Sequence, residues 1–74
     1  MKYEWYEIPV RVERDGQLQV VPANQVQCGD KVQFVWSGIP HVAAGHIPDD
    51  DEEIMYIEIN GGADCWPAAM FCSE

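Results

Sequence analysis

Apolar residues recur at every second position through the first half of this chain, a period that suits strands and not helices. From Tyr6 onward, Tyr6, Ile8, Val10 and Val12 point one way, with Glu7, Pro9, Arg11 and Glu13 on the other face. This predicts a half-buried strand, and Pro9 predicts that it lies at a sheet edge, where a missing N–H costs no ladder bond. Asp15-Gly16 reads as a tight hairpin turn, because both residues tolerate positive φ. The returning strand is expected over 17–21, with Leu18 and Val20 inward. Pro22-Ala23-Asn24 breaks it and a short strand follows over 25–28, burying Cys28. Cys28-Gly29-Asp30 then turns the chain into a strand over 31–36, with Val32, Phe34 and Trp36 alternating against Lys31, Gln33 and Val35.

Beyond Trp36 the pattern weakens. Residues 37–48 hold Gly38, Pro40, Gly45, Pro48 and both histidines, and read as a loop with at most a short strand. Residues 49–53 form a charged turn. Ile54–Ile59 alternates Met55, Ile57 and Ile59 against Tyr56 and Glu58, which predicts another strand. Asn60-Gly61-Gly62 is a turn, and 63–74 is a tail kinked at Pro67, with one helical turn around 68–71. The fold class expected is therefore mainly β: a single small domain over 1–74, built as an antiparallel meander or barrel of five to six short strands with little helix.

A chain of 74 residues is near the lower limit for independent folding, although its 47% apolar and 11% aromatic content is ordinary for a globular protein. A core of this size rarely yields more than about 3–5 kcal/mol, so a disulfide, a metal or a partner subunit is expected to support it. Cys28, Cys65 and Cys72 make an odd count, and Cys65 and Cys72 are close enough in sequence to close a small loop. No apolar run approaches the roughly 18–20 residues of a membrane span, and the N-terminal MKYEWYEIPV has no uninterrupted apolar stretch of the secretory kind. These features predict a cytoplasmic protein with reduced thiols and no membrane partner.

Charge is the property that bears most on function. The chain holds 13 acidic and 4 basic residues, and no lysine or arginine occurs after Lys31. Residues 1–31 hold five acids and all four bases, a net of −1; residues 32–74 hold eight acids and no base, a net of −8. The acidic half 32–74 cannot pair its charges internally. Its one-signed field repels nucleic acid and attracts cations or a basic protein surface. The candidate partner-binding residues are Asp49, Asp50, Asp51, Glu52, Glu53, Glu58 and Asp64, with Trp36, Tyr56 and Trp66 as anchors, since tryptophan and tyrosine dominate interface energetics. The carboxylates would project with a spacing comparable to backbone phosphates. The alternative is a solvated face that serves solubility.

The segment LQVVPANQVQCGDKVQFVWSGIPHVAAGH, residues 18–46, resembles the first half of a cupredoxin. A proline-bearing strand is followed by the Gly29-Asp30 turn, a strand carrying Val32 and Phe34, and a loop ending in Pro40-His41. The resemblance implies a copper ligand at His41, with Cys65 and Met70 as sulfur ligands. No histidine stands between Cys65 and Met70, so His46 would have to serve from another loop. The residue types of His41, His46, Cys65 and Cys72 would also suit zinc, but only the His41–His46 spacing is in range. Residues 49–53 could attract calcium, but they lack the glycine that a calcium loop needs.

No nucleophile-elbow serine or glycine-rich phosphate loop is present. Gly61-Gly62 followed by ADCWPAAMFCSE resembles the cleavage site and core of a ribosomally made, modified peptide, whose leaders are usually helical or disordered. The leading expectation is a binding protein that is not an enzyme and needs no cofactor. It would occlude a basic surface of a partner, a nucleic-acid-handling protein, without itself touching nucleic acid. Phage and mobile-element inhibitors, anti-CRISPR proteins among them, share this size and charge. The alternatives are a metal-binding module and a structural or assembly subunit, the latter using an exposed edge at 3–13 for β-augmentation or a homodimer.

Overall fold

In the computed structural model, which describes residues 3–73, six strands form one antiparallel sheet. They are β1 (Pro9–Arg14), β2 (Gln17–Pro22), β3 (Lys31–Val32), β4 (His41–Asp49), β5 (Ile54–Ile59) and β6 (Asp64–Pro67). The order across the sheet is β2-β1-β3-β4-β5-β6. Three short 3-10 turns, Ala23–Gln25, Asn60–Gly62 and Ala68–Met70, are the only helical elements among the described residues. The fold is the mainly β one that the alternation and turn spacing predict. Met1, Lys2 and Glu74 lie outside the described residues, and the last two enter the charge count.

The core follows from the pleat. Val10 and Val12 of β1, Val32 of β3, Ala43 of β4 and Met55, Ile57 and Ile59 of β5 all point inward and are buried. Phe34, Phe71, Ala23, Val26, Val21 and Ala68 complete the packing. Asp15 (φ 53) and Gly16 (φ 77) form the tight turn between β1 and β2, which sets Arg14 opposite Gln17 and Val10 opposite Val21.

Several expectations are corrected. Leu18 and Val20 do not point inward: they are exposed, and Val21 is the buried residue of β2. Residues directly opposite share a face. With Val10 and Val12 inward, the register therefore turns Val21 and Gln19 inward and Leu18 and Val20 outward. The sheet edges are β2 and β6, not the strand that carries Pro9, because β1 sits between β2 and β3. Pro9 is tolerated because its nitrogen faces away from β2, at a height beyond the two-residue β3, which meets β1 only at Glu13↔Lys31.

Residues 25–28 are not a strand. The 3-10 turn Ala23–Gln25 leads into extended backbone at Val26, and Cys28 is exposed. The strand expected over 31–36 is regular only at Lys31–Val32, with a single further bridge between Phe34 and Phe71, and Trp36 ends exposed. The stretch read as a loop contains β4, the longest strand of the sheet. Its pairing with β5 shifts register between Ala43 and Gly45. That bulge places one extra residue in the strand, which hides the period-two pattern.

The segment after β6 closes the structure. Arg11 N–H donates to the Cys72 carbonyl (2.8 Å), Cys72 N–H donates to the Gln33 carbonyl (2.8 Å), and Val35 N–H donates to the Met70 carbonyl (3.0 Å). Residues 70–72 thus fill the gap where β1 and β3 diverge, and curl the β3–β6 part of the sheet over the core.

Candidate functional site

The hairpin joining β4 to β5 carries the densest charge. Asp49 and Ile54 are its last paired residues, which leaves Asp50, Asp51, Glu52 and Glu53 as a four-residue loop. Asp49 Oδ1 accepts the Glu52 N–H at 3.1 Å, and Glu53 takes a left-handed φ of 55° to turn the chain back. Asp49 is therefore partly committed to the turn, while Asp50 to Glu53 are exposed. Register puts Ile47, Asp49, Tyr56, Glu58, Cys65 and Pro67 on the outer face of β4–β6. Beside the acidic loop, Ile47, Pro48, Tyr56 and Cys65 line a shallow, open depression.

Glu58 does not project freely. Its two carboxylate oxygens lie over Gly45 and Gly62, 3.3 Å and 3.6 Å from where a Cβ would stand on each. Asp64 accepts a hydrogen bond from Asn60 Nδ2 at 2.6 Å, across the turn before β6. The freely presented acids are thus concentrated at the β4–β5 loop.

Trp36 and Trp66 form a separate group. Trp66 pairs with Ile57 and so takes the inner face of β6. It meets Phe34 edge-on (5.1 Å, 75°) and Trp36 at 6.0 Å. Trp36 stacks on Phe34 (4.7 Å, 12°), which in turn stacks on Phe71 (4.8 Å, 18°). Three nearly parallel rings thus lead from buried Phe71 to exposed Trp36. The sheet therefore separates this pair from Tyr56 and the acidic loop, and one partner reaches both only by running over the β6 edge.

The residues of the metal alternative do not converge. His41 pairs with Val32, and its ring packs edge-on against Phe34. His46 Nδ1 donates to the Val26 carbonyl at 2.8 Å and anchors the loop after the first 3-10 turn. Cys65 is on the outer face, opposite to both histidines, and Met70 lies in the closing segment. Among the described residues no three His, Cys, Asp or Glu side chains are grouped so as to hold a metal ion, and Cys28 and Cys65 are free thiols.

One ionised group escaped the sequence reading. Asp30, read only as a turn residue, is 2% exposed. Arg14 Nε and Nη2 donate to its two oxygens at 2.8 and 2.7 Å, and Gln27 N–H donates to Oδ2 at 2.9 Å. The Arg14 hydrogen bonds hold this carboxyl below the usual carboxylate range, against the opposing push of burial. Two main-chain bonds, Ala43 N–H to the Asp30 carbonyl (2.7 Å) and Gly29 N–H to the Ala43 carbonyl (2.9 Å), fasten the same turn to β4. Arg14 is thereby committed within the fold; Arg11 and Lys31 lie on the outer face of β1 and β3, where Arg11 Nη2 donates to Gln33 Oε1 at 3.3 Å.

No family model, curated protein or solved structure matches the chain. Among the described residues no helix is long and apolar enough to cross a membrane.

Proposed function

We propose that this chain is a small acidic binding protein that covers a basic surface of a partner protein. The observation that supports this best is the segregation of sign. From Val32 onward the chain has no lysine or arginine, and four adjacent acids, Asp50 to Glu53, stand exposed on one hairpin loop beside Tyr56. Clustered charge of one sign steers association with an oppositely charged surface. The largest basic surfaces in cells are those that bind nucleic acid, so the partner class is a nucleic-acid-handling protein and the mode of action is occlusion. Trp66 and Trp36 would contribute residence time once the partner extends past the β6 edge.

The test starts with capture from host lysate on the immobilised protein, washed at low and then high salt, with eluted proteins identified. Binding kinetics with the captured protein follow. Replacing Asp50, Asp51 and Glu52 together by lysine should slow association about tenfold or more at low salt, with a smaller effect at high salt. Trp66→Ala should chiefly speed dissociation. If both variants bind with unchanged rates, the acidic loop and the tryptophans are not the interface.

A further inference from the structure

Among the described residues, the free edge of the sheet at β2 lacks the devices that ordinarily protect such an edge. Lysines, prolines, bulges or a covering segment usually blunt it. β2 is Gln-Leu-Gln-Val-Val-Pro, with no charge and with proline only at its last position. Its register with β1 runs unbroken over six pairs, from Pro9↔Pro22 to Arg14↔Gln17, so no bulge turns it aside. Every residue of β2 except Val21 is exposed.

The hairpin turn decides which main-chain groups face outward. Arg14 and Gln17 flank a two-residue turn and form a hydrogen-bonded pair. Alternation then makes Val12↔Gln19 and Val10↔Val21 bonded pairs, and the series continues where Ala23 N–H donates to the Ile8 carbonyl at 2.8 Å. The N–H and C=O groups of Leu18 and Val20 therefore point away from β1, to the open edge. The side chains of the same two residues are 67% and 52% exposed on the outer face.

We propose that β2 pairs antiparallel with β2 of a second copy, with the two-fold axis at Gln19. In that register Leu18 of each copy faces Val20 of the other. Four main-chain hydrogen bonds form, and the four side chains make one apolar cluster. Centring the axis on Val20 would set Leu18 against Pro22, which has no N–H to donate.

The occupant is a second copy because the edge is self-complementary about Gln19, each Leu18 meeting the other copy's Val20, and the charges around it are placed so as not to oppose the pairing. On the outer face Lys31, Glu13 and Leu18 form one row, and Val20 is paired with Arg11. Across the two-fold the row continues through Val20 and Arg11 of the second copy. Glu13 and the facing Arg11 thus bracket the apolar cluster with opposite signs, roughly 14 Å apart by strand spacing. The symmetry repeats the arrangement. It also sends the acidic β4–β6 halves to the far ends of the joined sheet, where two copies of net charge −9 repel each other least.

Sedimentation velocity on the full chain over a wide concentration range, at low and high salt, tests this. The mass should double from 8.4 kDa as concentration rises, and more readily at high salt, where repulsion is screened. Amide exchange at Leu18 and Val20 should slow about tenfold or more on doubling. Val20→Lys should remain a single copy with an unchanged far-UV spectrum, and Leu18→Lys should do the same should the first variant fail to fold. A single mass up to millimolar concentration overturns the proposal. So does a dimer that both lysine variants leave intact, or one in which the Leu18 and Val20 amides exchange as fast as in the single copy.

Discussion

The carboxylate of Asp30 shows how much can depend on one side chain in a small fold. It is the one buried charged residue among those described, and it joins Arg14 of β1 to the turn that feeds β3. Asp30→Asn keeps the shape but replaces one accepting oxygen by an NH2 that cannot accept from the guanidinium, and leaves the other bond without its full charge, which should cost about 2 kcal/mol. Against the roughly 3–5 kcal/mol available to a core of this size, that is a large fraction, readable as a lower urea midpoint. The same pair sets a pH dependence. Because the folded carboxyl titrates below its unfolded value of about 4, its contribution is complete above that pH and is lost as pH falls through the folded value. Urea midpoints measured from neutrality downward should therefore drop below about pH 4, and drop less in Asp30→Asn. None of this was legible beforehand, since no periodicity links Arg14 to an aspartate sixteen positions later.

At the scale of elements, the turns carried more information than the strands. Asp15-Gly16 was read correctly, and the register it imposes already turns Leu18 and Val20 outward once Val10 and Val12 are inward. Hydrophobicity alone would bury Leu18 and Val20, but on an edge strand the turn register decides the face. Gly16→Ala, at φ 77°, should cost about 1 kcal/mol by straining that turn, as thermal unfolding would report. β4 was hidden for a different reason. Its inward positions are His41, Ala43, His46 and Pro48, while the large apolar residues Val42 and Ile47 face solvent, so the usual pattern is inverted as well as broken by the bulge at Gly45. β5 was fully legible because Met55, Ile57 and Ile59 are large, apolar and inward. Ile57→Ala should cost about 2–5 kcal/mol, enough to leave much of the chain unfolded in a chemical-denaturation series. The acidic loop was legible as a turn, but its separation from Trp36 and Trp66 was not, since residues 56 and 66 take opposite faces only through the β5–β6 register.

For the whole molecule, the decisive contact is the one between the first strand and the last residues described. Phe71 is buried against Phe34, and Cys72 bridges Arg11 to Gln33. A chain ending at Met70 loses both, including a phenylalanine whose removal typically costs about 3–5 kcal/mol, and should give an unfolded spectrum by circular dichroism. Arg11 and the Cys72 carbonyl it bonds are 61 positions apart. At a synthesis rate of about 5–20 residues per second, the strand holding Val10 and Val12 waits roughly 3–12 s for its final partner to be made. During that interval the nascent chain has an open seam between β1 and β3, and yield in the cell should depend on translation speed and chaperone access as well as on the stability of the finished fold.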